Sequence, residues 1–207
     1  MKRTSIFTLA LCAGIASTVS GQGFLGESWV EATAGRTKVT QGDFQPEGYG
    51  VTAAVNLPTA GLSERIGLDF KFEGGYLRVS QGGVGMSILG FGIAAPLHME
   101  FVPWGPVLKP FLAPNAGVTR ERGGDGSTSA FLGLTFGVEI EASEQFYITP
   151  SLDYGYHTDD STKTISFDLQ MAYSFTEPYA LLIGFGYTDV QKAGSSYTIY
   201  GGFRMRF

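Results

Sequence analysis

One stretch of strict alternation, from Thr164 to Phe175, constrains the fold more than any other feature of the sequence. Its apolar side chains fall on one side: Ile165, Phe167, Leu169, Met171, Tyr173 and Phe175. Alternation with a period of two predicts a β-strand. At ~3.3 Å per residue this strand is ~40 Å long, which crosses a bilayer core at a tilt of ~45°. Strands of soluble proteins are usually about half as long, so the length favours a strand that spans a membrane.

The same alternation recurs along the chain and predicts an all-β protein. It is clear in residues 48–57, 129–141, 146–157 and 179–190, where the apolar positions share one side. Together with the turn residues, the pattern predicts ten strands: 26–38, 48–57, 67–79, 84–97, 107–119, 129–141, 146–157, 164–175, 179–190 and 196–207. An even number of antiparallel strands can close into an up-and-down transmembrane barrel. Closure leaves no open sheet edge in lipid.

Prolines argue against the predicted strand 107–119, because Pro110 and Pro114 each lack an amide donor. If that strand does not form, a second must also be absent to keep the number even, and the barrel has eight strands. Pro96 and Pro150 raise the same objection elsewhere, although a bulge or a strand end could absorb them.

The charged side chains indicate which face of the strands meets lipid. An Arg or Lys on the lipid side at the bilayer midplane costs ~2–4 kcal/mol, so the charged face is expected to point into the lumen. In a soluble barrel the apolar face would point inward instead, and alternation alone does not separate the two. The membrane reading predicts a polar network in the lumen: Glu31, Asp69, Lys71, Glu73, Glu139, Asp153, Asp168, Arg204 and Arg206.

The N-terminus has the pattern of a secretory signal peptide. The basic residues Lys2 and Arg3 precede an apolar core from Ile6 to Ala16, and Val19 and Gly21 suit cleavage before Gln22. The chain is therefore divided into a signal peptide, 1–21, and a barrel domain, 22–207. Its sole cysteine, Cys12, lies in the removed part. No disulfide, cysteine metal site or cofactor is expected in the exported protein.

The last strand ends in a pattern that resembles a known targeting signal. Gly202, Met205 and the terminal Phe207 resemble the C-terminal signal of bacterial outer-membrane barrels. With the alternating strands, they make the whole exported chain similar to the small OmpA-like and OmpW-like barrels. This resemblance implies residence in the outer membrane of a Gram-negative bacterium, contact with its lipids, and folding by the barrel assembly machinery. With a net charge of −5, the chain is not expected to bind nucleic acid.

Loops and aromatic residues fit this arrangement. The connections at 40–47, 80–83, 120–128, 158–163 and 191–195 are polar or rich in glycine and are expected outside the cell. Those at 58–66, 98–106, 142–145 and 176–178 are expected in the periplasm. Aromatic residues near the strand ends suggest interfacial girdles: Trp29, Tyr49, Tyr76, Trp104, Tyr147, Tyr156, Tyr173, Tyr179 and Tyr197.

Few residues suggest catalysis. His157 lies near Asp159, Asp160 and Ser161, groups that a hydrolase could use, but an exposed polar loop is the better account of them. His98 is expected on the surface of a periplasmic turn. The segment 123–126 resembles one fragment of a calcium-binding repeat, and a single copy indicates a loop. The glycines at 90, 92, 184 and 186 are expected to make room for large inward side chains such as Tyr147 and Tyr200.

The sequence therefore predicts a non-enzymatic, porin-like barrel with a structural or surface-interaction role in the cell envelope. One alternative is a narrow channel or transporter for small or hydrophobic molecules, although barrels of this size are usually filled by their own side chains. A less favoured alternative is an enzyme that hydrolyses lipids or peptides, with His157 and Asp159 or Asp160 in its site.

Overall fold

A computed structural model describes residues 25–40, 45–59, 61–81, 84–102, 105–122, 127–159, 161–191 and 194–207. The predicted signal peptide and the 123–126 segment lie outside these ranges. The strands are β1 (Trp29–Thr40), β2 (Glu47–Pro58), β3 (Ile66–Gln81), β4 (Val84–Ala94), β5 (Leu97–Met99), β6 (Val107–Arg122), β7 (Thr128–Ser143), β8 (Phe146–His157), β9 (Lys163–Thr176), β10 (Tyr179–Val190) and β11 (Gly194–Arg206). Within these ranges, no helix is long and apolar enough to cross a membrane.

The strands form one closed antiparallel ring. Consecutive strands pair with each other, except β4 with β5, and β1 pairs with β11 from Trp29↔Arg206 to Thr40↔Ser195. The short β5 lies between β3 and β6, the two strands that also flank β4. β4 and β5 therefore occupy the same strand position in the wall, one after the other. The eleven strands fill ten positions around the barrel. The predicted ten-stranded barrel is confirmed, and the eight-stranded alternative is wrong.

The predicted continuous strand 84–97 is interrupted at Ala95 and Pro96. Hydrogen bonds still attach this break to both neighbours: the amide of Asp69 donates to the Pro96 carbonyl at 2.9 Å, and that of Ala95 donates to the Pro114 carbonyl at 3.0 Å. Proline has no amide hydrogen for the ladder, so the strand breaks at Pro96 and resumes as β5.

The predicted strand 107–119, which the two prolines argued against, does form, as β6. Pro110 and Pro114 both point outward. Backbone polar groups of alternate residues face the same neighbour. The Pro114 carbonyl accepts a hydrogen bond from Ala95, so the backbone polar groups of Pro114 face the β4–β5 side of β6. Pro110 has the same parity, and the imide nitrogens of both prolines therefore face β4–β5 and not the continuous strand β7. The missing donor of Pro114 therefore lies beside the break at Ala95, and that of Pro110 lies just beyond the last pair of β5 and β6, His98↔Phe111.

The two faces of the wall differ in polarity. Apolar side chains cover the outside, where Leu132 is 57%, Ile199 62% and Phe203 61% exposed. The inward side chains are mostly polar and buried, as the hydroxyls of Thr135, Thr164 and many others show. This is the inverse of a soluble barrel, so the predicted orientation of the faces is confirmed.

Two members of the proposed aromatic girdles are wrongly placed by the sequence argument. Trp29 is 1% and Tyr147 7% exposed, and they pack together inside the barrel with Leu182. Along its strand, each lies two residues from a side chain that points into the lumen, so it points inward too, although its position near a strand end suggested the membrane interface. The other tyrosines face outward: Tyr49, Tyr76, Tyr156, Tyr173, Tyr179 and Tyr197. Trp104 lies outside the described residues.

Candidate functional site

The candidate site is the lumen, where the wall directs all nine charged residues predicted for it. Seven of them are nearly inaccessible: Glu31, Asp69, Lys71, Glu139, Asp153, Asp168 and Arg204. The side chain of Glu73 is 11% exposed and that of Arg206, at the end of β11, is 22% exposed. Alternation places them inside, but the partners described next also include uncharged residues that the sequence argument did not single out.

Arg204 is the centre of one cluster. Its Nε donates to Glu31 Oε2 at 3.0 Å, and its Nη2 donates to Gln170 Oε1 at 3.0 Å and also contacts Glu31. The guanidinium carbon lies 4.2 Å from the ring centroid of Trp29, and Lys71 Nζ lies 5.9 Å from that centroid. These contacts connect β1, β3, β9 and β11 across the lumen.

Further along the lumen, two carboxylates are fixed by neutral donors. The Tyr200 hydroxyl donates to Asp168 Oδ2 at 2.8 Å. Asp153 Oδ1 accepts from the Thr135 hydroxyl at 2.6 Å and from Asn115 Nδ2 at 3.0 Å. Such bonds offset the cost of burying a charge. Both carboxylates therefore have structural partners.

The end of the lumen next to the first described residues contains a network around Asp69. Asp69 Oδ2 accepts from the amide of Gly26 at 2.9 Å and from Asn56 Nδ2 at 2.8 Å. His98 Nε2 lies 3.3 Å from Asp69 Oδ1, and His98 is only 9% exposed. The prediction of a surface role for His98 is wrong, because β5 turns its ring into the lumen.

Lys109 and Glu139 hold the residue before Gly26. The amide of Leu25 donates to Glu139 Oε1 at 3.3 Å, and Lys109 Nζ donates to the Leu25 carbonyl at 3.3 Å. Lys109 also pairs with Glu139 at 3.6 Å and with Glu141. The Leu25 side chain packs against Phe111 and Ala113. The sequence argument placed residues 26–28 in the first strand, 26–38, whereas the structure begins β1 at Trp29 and packs the preceding residue Leu25 inside the barrel.

The sequence argument placed His157 in an exposed loop, but the structure buries it at the end of β8. It is 3% exposed, and its ring centroid lies 6.0 Å from that of Phe131. Asp159 accepts a hydrogen bond from the Ser129 hydroxyl, while Asp160 lies outside the described residues. In the described part of the chain, no group of three or more His, Cys, Asp or Glu side chains is placed to hold a metal ion.

The three residues of the predicted assembly signal lie along the end of β11. Gly202 pairs with Thr33 and Met205 with Val30 of β1, and the amide of Phe207 donates to the Ser28 carbonyl at 3.1 Å. A Cβ on Gly202 would lie 2.1 Å from the carbonyl oxygen of Ala32. The close approach of β1 and β11 therefore requires glycine at this position, whatever its role in recognition.

Comparisons with known proteins point to one class. No protein-family model matches the chain, and no curated protein matches it. It is similar to the translocator domain of autotransporter NalP from Neisseria meningitidis, with 11% identity, a TM-score of 0.54 and coverage of 99% of this chain and 98% of that one. It also resembles an outer membrane channel from Pseudomonas putida F1 (10% identity, TM-score 0.51, coverage 90% and 97%) and the NanC porin (11%, 0.51, 86% and 100%).

At these identities the likeness concerns the fold. The closed ring and the apolar outer wall independently require a lipid environment. Together they define an outer-membrane β-barrel. The resemblance to small bacterial outer-membrane barrels is confirmed at this level, as is the predicted location.

Proposed function

We propose that this protein is a non-enzymatic barrel whose filled lumen makes it a rigid element of the outer membrane, with a structural or surface-interaction role. The observation that carries this proposal is the cluster around Arg204, where Glu31, Gln170 and Trp29 hold a guanidinium across the lumen. A barrel of about eight to ten strands has an interior that side chains can fill. Buried ion pairs and hydrogen bonds such as those of Arg204 with Glu31 and Gln170 hold the side chains across the lumen in place.

The segment at the Asp69 end of the lumen supports the same proposal. Leu25 and Gly26 bind Glu139 and Asp69 through backbone amides, so these two residues lie inside the end of the barrel. A solute would have to displace this segment as well as the Arg204 cluster.

Planar-bilayer recording tests the proposal. The purified barrel is expected to give no steady conductance steps, whereas Trp29→Ala combined with Arg204→Ala should produce them because it removes the side chains that lie across the lumen in this cluster. Ile199→Ala combined with Phe203→Ala is the control, since both residues lie on the outer wall. Steady conductance by the unmodified protein would contradict the proposal.

A narrow channel is the second candidate. The charged lining of the lumen favours it, and the solved proteins of similar fold include a channel and a porin. The bilayer recording separates the two candidates directly. The hydrolytic alternative is less favoured, because a general base must reach its substrate and His157 is buried beside Phe131. The hydrolytic alternative would be supported if the protein hydrolysed a lipid or peptide and the His157→Ala variant did not.

For biogenesis, we propose that the barrel assembly machinery recognises Gly202, Met205 and Phe207 at the end of β11. The terminal Phe207 is 68% exposed and lies at the seam where the ring closes. An exposed aromatic side chain at the seam is accessible to a partner before β1 and β11 pair.

A further inference from the structure

Five cations form a basic patch on the outer wall: Arg36, Lys38, Arg78, Arg120 and Arg122. All five point outward, because each is exposed and lies beside or between buried inward residues. Each lies within four residues of the strand end from which the loops expected outside the cell emerge. They belong to one side of the barrel, on β1, β3 and β6.

The strand register aligns three of these cations in one row. Arg36 pairs with Tyr49, Tyr49 with Arg78, Arg78 with Ser87, and Ser87 with Arg122. Neighbouring strands lie ~4.8 Å apart, so successive arginines of the row are ~10 Å apart at the backbone. Arg36 is bound to Glu47, and the two side chains remain 57% and 42% exposed.

Apolar wall begins directly below the row. The next row of residues paired across these strands, two positions further along each strand, consists of Ala34, Val51, Tyr76, Leu89 and Arg120. Its four apolar residues also line a shallow groove of about 650 Å³ that lies between Phe203 and Phe91. A second groove, of about 610 Å³, continues on the other side of Phe91 past Val118 to Leu132.

We propose that this surface binds a phosphorylated lipid of the adjacent leaflet, one whose headgroup carries more than one phosphate and whose acyl chains lie in the two grooves. Arginine is well suited to phosphate because its donors form a planar fork. The ~10 Å spacing of the row matches separate phosphates better than a single one, and the paired grooves offer space for several chains. One molecule would thus pair its phosphates with the arginines and place its acyl chains against the apolar grooves. The proposal does not depend on whether the lumen conducts.

Binding of diphosphoryl lipid A to the barrel in phosphatidylcholine nanodiscs tests the proposal, with native mass spectrometry as the readout. Arg78→Gln combined with Arg122→Gln should weaken binding about thirtyfold, since each of the two cations near a lipid surface contributes ~1 kcal/mol. Arg65→Gln combined with Lys163→Gln removes the same charge from exposed positions outside the patch and should leave binding unchanged. Heat-modifiable migration on gels shows that each variant is folded.

A variant of the groove distinguishes a lipid from a free phosphate. Ala53→Trp fills the floor of the first groove and should weaken lipid A binding while leaving the arginines intact. The proposal is overturned if the arginine variant binds lipid A as well as the unmodified barrel does. It is equally overturned if inorganic pyrophosphate displaces the lipid completely, if phosphatidylglycerol binds as tightly, or if the arginine variant changes the oligomeric state instead.

Discussion

A buried guanidinium depends on the groups around it, and Arg204 is the clearest case in this barrel. It is 1% exposed and is paired with the equally inward Glu31 while lying over Trp29. Replacing the pair with apolar groups can be tolerated, but removal of one partner leaves an uncompensated buried charge. The two partners should therefore be strongly coupled.

Arg204→Met is expected to lower the free energy of unfolding by ~3–5 kcal/mol, because it leaves the Glu31 carboxylate without its cation. Adding Glu31→Gln should recover a large part of that loss. Urea unfolding in lipid vesicles, followed by tryptophan fluorescence, measures both effects. Equal unfolding midpoints for the single and double variants would show that the pair is not coupled.

Gly184 provides space for an aromatic side chain. A Cβ at this position would lie 2.1 Å from Tyr200 Cζ, and the Tyr200 hydroxyl is held by Asp168. Gly184→Ala should therefore displace the ring and lower the free energy of unfolding by ~1–3 kcal/mol. Gly92→Ala is the matched control, since its Cβ would meet nothing closer than 3.6 Å. If both variants unfold at the same urea concentration, the space at Gly184 is not required.

At the scale of the strand, β11 combines a structural and a proposed recognition role. Phe207→Ala should reduce the amount of heat-modifiable barrel in the outer-membrane fraction severalfold, whereas the purified variant should refold in detergent as the unmodified chain does. Phe203→Ala, on the same outward face at 61% exposure, controls for the loss of an exposed aromatic ring. Equal losses in both variants would argue against a terminal recognition signal.

The elements were largely predictable because a membrane strand repeats one simple pattern. The alternation from Thr164 to Phe175 becomes β9, and the polar side of each strand becomes the lumen. Pro96 was recognised as an objection to the strand 84–97, but the sequence did not decide between a bulge and a strand end, because the cost of a missing donor depends on the neighbouring strand. Trp29 could have been placed in the lumen from the parity of Glu31, but its position near a strand end suggested the interface. The partners Asn56, Asn115 and His98 come from different strands, so only the register brings them to their carboxylates.

For the whole molecule, the decisive feature is the seam between the first and last strands. Thr37 on β1 and Thr198 on β11 face each other in the lumen, and their hydroxyl oxygens are 2.9 Å apart across 161 positions of sequence. Cysteines at these two sites have the proximity that a disulfide requires. The sole natural cysteine, Cys12, belongs to the predicted signal peptide and does not interfere after cleavage.

Thr37→Cys combined with Thr198→Cys should form a disulfide when the barrel folds. The boiled chain, held as a large covalent loop, should then migrate faster on a gel without reductant than with it. A link across a loop of this length should also stabilise the barrel by about 4–5 kcal/mol in the chain-entropy account. Thr37→Cys combined with Ser166→Cys is the control, because Ser166 lies on β9 and is separated from β1 by two strands. Equal crosslinking of both pairs would mean that the ends of the sheet do not meet as this ring requires, whereas selective crosslinking of the first pair would establish the closed wall on which the lumen and the outer surface both depend.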